Sequence, residues 1–113
     1  MQFSVAPSSP NIIYSLVYNS SVISGGQNTV AYKSTNGGLS WSQISSGVNI
    51  AGSYDGSVIN DQGWYDLCVD VNPTDANKVF FGNCELSKTT NGAAISFVRN
   101  PSGYSSGTGA WDD

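Results

Sequence analysis

The sequence predicts an all-β protein built from two repeats of four antiparallel strands, and three observations point there. Charge is scarce: 11% of the 113 residues are Asp, Glu, Lys or Arg, there is no His, and Glu85 is the one glutamate. Ser, Gly, Asn, Thr and β-branched or aromatic residues dominate, which suits short strands joined by polar turns and gives long helices little material. At 39% hydrophobic residues and a net charge of −4, the chain can still build a core. The third observation is internal repetition. Val5-Ala6-Pro7-Ser8-Ser9-Pro10-Asn11-Ile12-Ile13-Tyr14 aligns with Val71-Asn72-Pro73-Thr74-Asp75-Ala76-Asn77-Lys78-Val79-Phe80. Tyr32-Lys33-Ser34-Thr35-Asn36-Gly37-Gly38 is answered by Ser87-Lys88-Thr89-Thr90-Asn91-Gly92-Ala93.

Strands are expected over residues 2–6, 12–18, 29–34 and 40–44 in the first repeat, with extra residues around 19–28 between its second and third strands. In the second repeat they are expected over 65–71, 78–81, 85–88 and 96–99. The chain then divides into a first unit (1–47), a loop (48–63), a second unit (64–100) and an exit segment (101–113). Pro7 and Pro73 mark tight turns between first and second strands. Asn36-Gly37 and Asn91-Gly92 mark the later hairpins, read as type I′ turns with positive φ at both central residues. The runs Ile12-Ile13-Tyr14-Ser15-Leu16-Val17-Tyr18 and Val79-Phe80-Phe81 are apolar on both alternating faces, whereas a sheet with one wet face would alternate. They imply sheets covered on both sides by neighbouring sheets; a small β-sandwich is the competing arrangement.

Ser34-Thr35-Asn36-Gly37-Gly38-Leu39-Ser40-Trp41 resembles an Asp-box, the Ser-x-Asp-x-Gly-x-Thr-Trp turn of bacterial-neuraminidase repeats. Asn36 stands in for the usual Asp and Ser40 for the usual Thr, both conservative for turn hydrogen bonding. Physical roles are assignable to Ser34, Asn36, Gly38, Ser40 and Trp41. Ser34 and Asn36 bond the turn backbone, the glycines accept positive φ, and Trp41 is expected to bury its ring under the hairpin. The second copy, residues 89–97, is degraded: Ala93 replaces the box glycine and Phe97 stands roughly at the tryptophan position. Gln62-Gly63-Trp64-Tyr65-Asp66-Leu67 and the following Val69-Asp70-Val71-Asn72-Pro73 also resemble blades of secreted sortilin-like and sialidase-like bacterial propellers. The resemblance implies a partial β-propeller of about two four-stranded blades. Family propellers have more blades, so the expected partners are the remaining blades of a longer chain or further copies of this one.

Cys68 and Cys84 are the only cysteines, and a bridge between them is a candidate disulfide. A turn centred near Thr74 and Asp75 would pair Cys68 close to Phe81, short of Cys84, which counts against bridging. With no His and no third Cys, neither metal nor cysteine-nucleophile chemistry is supported, and no cofactor is expected. Lys33, Lys78, Lys88 and Arg99 are scattered singly, which excludes a nucleic-acid footprint. No apolar run approaches the roughly 20 residues of a membrane span. Residues 1–5 do not read as a signal peptide. The composition nonetheless looks extracellular, so the expectation is a segment of a longer secreted or cell-surface polypeptide.

Sialidases of this resemblance use three arginines and a Tyr–Glu pair, and this chain holds one Arg and one Glu. Inverting hydrolases need two carboxylates about 6.5–9.5 Å apart. Asp55, Asp61, Asp66, Asp112 and Asp113 fall in or near loops, where turn and solvation roles are the simpler reading. The functional expectation is a binding or scaffold module for a glycan or protein; the alternative is part of a secreted glycoside hydrolase whose catalytic residues lie largely elsewhere. Loop length gathers in the connections leaving the second and fourth strands, where recognition usually develops. Tyr54, Asp55, Asp61, Trp64, Tyr104 and Trp111 are the candidate contacts, their rings able to stack on sugars and their carboxylates to accept hydroxyls.

Overall fold

Alternating apolar residues and Pro-Asn turns resolve into two four-stranded antiparallel meanders in the computed structural model, which describes residues 1–19, 28–45, 50, 66–83 and 86–97. The first sheet runs β1 (Gln2–Val5), β2 (Ile13–Tyr18), β3 (Thr29–Ser34) and β4 (Ser42–Gln43) in that spatial order. The second runs β5 (Cys68–Val71), β6 (Val79–Gly82), β7 (Leu86–Thr89) and β8 (Ile95–Phe97). No strand crosses between sheets, and the described residues include no helix.

Register shows that the repetition in sequence is a repetition in space. Val5 pairs with Ile13 and Ile13 with Ser34; Val71 pairs with Val79 and Val79 with Thr89. The first turn is bonded alike in both. Ala6 N–H donates to Ile12 O at 2.9 Å and Asn72 N–H to Lys78 O at 2.9 Å. Each hairpin pair is also tied at its tip: Gly37 N–H donates to Asn11 O, and Gly92 N–H to Asn77 O, both at 2.9 Å. Cys68 pairs with Gly82, one residue beyond the expected Phe81. A side chain at Gly82 would meet the Cys68 Sγ and displace that exposed thiol to another rotamer. Cys68 is a free, exposed thiol, and Cys84 lies outside the described residues.

Each sheet has a front and a back, and one interface decides the architecture. Tyr14, Leu16 and Ala31 share a face of the first sheet; Val71, Val79, Phe81 and Ile95 share a face of the second. Together they form the core, with Ala6, Ile50, Leu67 and Ala76 around them. Tyr14 meets Phe81 edge-on, ring centroids 6.3 Å apart. By the repeat register, Tyr14 corresponds to Phe80 and not to Phe81. The front of the first sheet therefore packs on the back of the second, and the two sheets are not related by a two-fold axis.

Polar groups close both ends of this interface. Tyr14 Oη donates to Ala76 O at 2.9 Å, and Lys33 Nζ donates to Gly92 O at 3.2 Å while lying 5.3 Å from the Tyr14 ring centroid. Asn83 Nδ2 donates to Thr29 Oγ1 at the other end, at 3.3 Å. The sheets come nearest along β1 and β5, with β2 next, and the long Lys33 side chain reaches across further out. Among the described residues, Ser87 Oγ is buried with no partner.

Two outcomes are expected. Burial raises the Tyr14 phenol above its ordinary value, with the Asp75 carboxylate adding to the effect. The folded state thus keeps a proton that the unfolded chain releases near pH ~10. This contribution is complete below that pH and is lost as pH rises through the folded-state value. Tyr14→Phe keeps the ring, loses the Ala76 bond and costs about 1 kcal/mol at neutral pH; denaturant melts should also show a weaker alkaline decline. Ser87→Ala removes an orphan hydroxyl and leaves stability unchanged or higher, read as an equal or raised Tm.

Candidate functional site

The described residues hold one of the two sequence-derived sites, the Ser34–Trp41 connection between β3 and β4, and it is built from local hydrogen bonds. Ser34 ends β3 with its Oγ buried against the turn. That oxygen accepts from Gly38 N–H at 2.9 Å and Asn36 N–H at 3.3 Å, and its hydroxyl donates to Asn36 Oδ1 at 3.0 Å. Asn36 Oδ1 also accepts from Ser40 N–H at 2.9 Å, while its Nδ2 donates to Ser40 Oγ at 2.7 Å. The side chains of Ser34 and Asn36 thus replace ladder bonds that the loop backbone lacks. The second connection repeats the scheme with Thr89 and Asn91. Thr89 Oγ1 donates to Asn91 Oδ1 at 3.1 Å, and that oxygen also accepts from Ala93 and Ala94 N–H at 3.0 and 2.9 Å.

Three expectations at these turns are corrected. Asn36 and Asn91 do not take positive φ; Gly37 (72°), Gly38 (91°) and Gly92 (70°) do. The connections are longer than a two-residue type I′ turn, so the bend is shared between asparagine-anchored backbone and the glycines after it. Continuing the β3–β4 register beyond Lys33 opposite Ser42 sets Trp41 opposite Ser34, as Ile95 stands opposite Thr89. Ile95, rather than Phe97, is the counterpart of Trp41. Lastly, Trp41 is not buried: it is 42% exposed, whereas Ile95 is 7% exposed. Trp41 Nε1 donates to Gly38 O at 3.0 Å, and the ring lies alongside Gly38. The difference has a physical cause, because Ile95 faces the other sheet and Trp41 occupies the matching back face of the first sheet.

The turn end also carries one carboxylate whose titration is displaced. Asp75 is held below its ordinary value, chiefly by the Asn77 N–H donating to it at 3.0 Å, against slight desolvation, with Lys78 at 3.4 Å adding to the lowering. Both groups are exposed enough that the pair is a minor contributor. Among the described residues no group of His, Cys, Asp and Glu is arranged to hold a metal, and no helix is long and apolar enough to cross a membrane.

The second sequence-derived site is expected at the opposite end. β2 and β4 both finish there, and Asn19 N–H donates to Asn28 O at 2.9 Å across the neck of the β2–β3 connection. Tyr54, Asp55, Asp61, Trp64, Tyr104 and Trp111 all lie outside the described residues. Sequence reasoning missed the inter-sheet set of Tyr14, Lys33, Ala76 and Gly92. Its signal was present in Tyr14 following the Pro turn and in Gly92 of the aligned hairpin, but joining them needed the sheet register.

Asn36→Ala should cost about 1 kcal/mol, since it removes three side-chain hydrogen bonds at a largely exposed turn. Asn36→Asp keeps the acceptor oxygen, and Ser40 Oγ can reverse its role to donor, so stability should stay within about 0.5 kcal/mol of the parent. Paired thermal melts of the two variants check this.

Comparisons of the chain with protein-family models, with curated proteins and with solved structures find no match.

Proposed function

We propose that this chain is a segment of a secreted or cell-surface β-propeller, serving as a binding or scaffold module for a glycan or protein ligand. The observation that carries this reading is the front-to-back stacking of two consecutive meanders. Their first strands lie nearest one another, and both sets of asparagine-anchored turns share one end, since Tyr14 and Lys33 of the first sheet reach Ala76 and Gly92 in the turns of the second. A sandwich closed about a two-fold axis would bury the same face of each repeat. Here opposite faces meet, which leaves one front and one back to which further sheets can add and so supports the propeller reading. The side-chain network at Ser34, Asn36 and Ser40 supports the Asp-box identification of the turn.

A rigid turn end leaves the other end for recognition. The lengthened connections depart from there, and their aromatic and acidic residues supply the chemistry that grips sugars: flat rings for apolar faces of the pyranose and carboxylates for its hydroxyls. A glycan array probed with the 113-residue chain tests this. Binding that falls at least tenfold in the combined Tyr54→Ala, Trp64→Ala, Trp111→Ala variant, with the thermal melt preserved, supports the reading. Binding unaltered in that variant places the ligand on another surface.

A further inference from the structure

The internal interface shows what a front face requires, and the chain carries one front and one back still without a described partner. Seven large hydrophobic residues are exposed among the described residues, and five of them fall on those two faces. Phe3, Val5 and Trp41 occupy the back of the first sheet, at 64%, 43% and 42% exposure. Phe80 and Leu86 occupy the front of the second, at 46% and 41%. Patches of this kind on a sheet face mark contact surfaces. Val30, at the far end of the first sheet's back, is buried, so the open region is the half nearest the turns.

The repeat register matches the open faces to the closed ones. Phe80 stands where Tyr14 stands, and Lys88 where Lys33 stands. The cross-strand pair Leu16–Ala31 is answered by Gly82–Leu86, which places the leucine on the neighbouring strand of the same face. On the other side Phe3, Val5 and Trp41 stand where Val69, Val71 and Ile95 line the formed interface. From this correspondence we infer that two copies of the chain dock head to tail, the second sheet of one seating its front on the back of the first sheet of the next. Phe80 takes the place of Tyr14 in that contact, and Lys88 Nζ donates to the Gly37 carbonyl of the neighbouring copy as Lys33 Nζ donates to Gly92 O. A second copy is the occupant because the back of this chain's first sheet is built on the same register as the back that its own front already covers. Such a contact is heterologous, so it leaves each assembled copy with the same faces open and extends to a ring or a filament.

The inference rests on the sheet stacking and not on the ligand reading, so the two fail separately. Sedimentation velocity of the full chain across a concentration series should show assemblies larger than dimers. Phe80→Asp blocks every front and Phe3→Asp blocks every back, so each variant alone should run as a monomer with an unchanged circular-dichroism spectrum. Mixed one to one, they retain a single compatible pair of faces and should form a heterodimer that grows no further. Leu86→Asp and Val5→Asp form a second pair should either of the first two fail to fold. A parent chain that stays monomeric throughout overturns the inference, as does a mixture no larger than its components. Homodimers formed by each variant alone also overturn it, since they would show a two-fold contact. Sugar binding by a strictly monomeric chain would leave the proposed function standing while this inference falls.

Discussion

Everything in this protein hangs on one sheet laying its front against the back of the next. The Tyr14 ring meets Phe81 edge-on in the middle of that contact, and Leu16, Ala31, Val71, Val79 and Ile95 fill the space around the pair. Truncating a ring in such a position costs about 3–5 kcal/mol, a large part of the margin of a small domain. Neither meander has a second layer of its own among the described residues, so each depends on the other for a dry face. The polar contacts at the two ends, through Ala76, Gly92 and Thr29, add little net energy. They set the angle and register at which the apolar faces meet.

Much of the fold was legible in the sequence because its determinants are local. Thr29–Ser34 forms a strand as its β-branched residues and the following Asn-Gly turn require, and the Pro7 and Pro73 turns fall where the aligned decapeptides put them. The network at Ser34, Asn36 and Ser40 was readable for the same reason, since every donor lies within four residues of its acceptor. The exposure of Trp41 was not readable. A tryptophan's burial depends on what lies opposite it, and the covering sheet is supplied only on the side that Ile95 faces. Phe80 shows the same limit: its strand is apolar on both faces, yet one of them stays 46% open at that residue. The backbone of the Asn36 and Asn91 turns also escaped a reading by dipeptide alone, because the positive φ moved onto the glycines once the connection grew longer.

The candidate contact residues of the long connections illustrate a different limit. Their chemistry is plain from composition, yet nothing in alternation or turn chemistry fixes the path of a connection rich in Ser, Gly and Asn. Strand order does fix which end of the sheets those connections leave from.

The tip bonds from Gly37 to Asn11 and from Gly92 to Asn77 carry one more consequence. Each ties the connection between the third and fourth strands to the connection between the first and second, so an insertion in either would pull its partner out of line. The two turns of a sheet therefore behave as one mechanical unit at that edge, and a change in the length of one is tolerated only where the other changes with it.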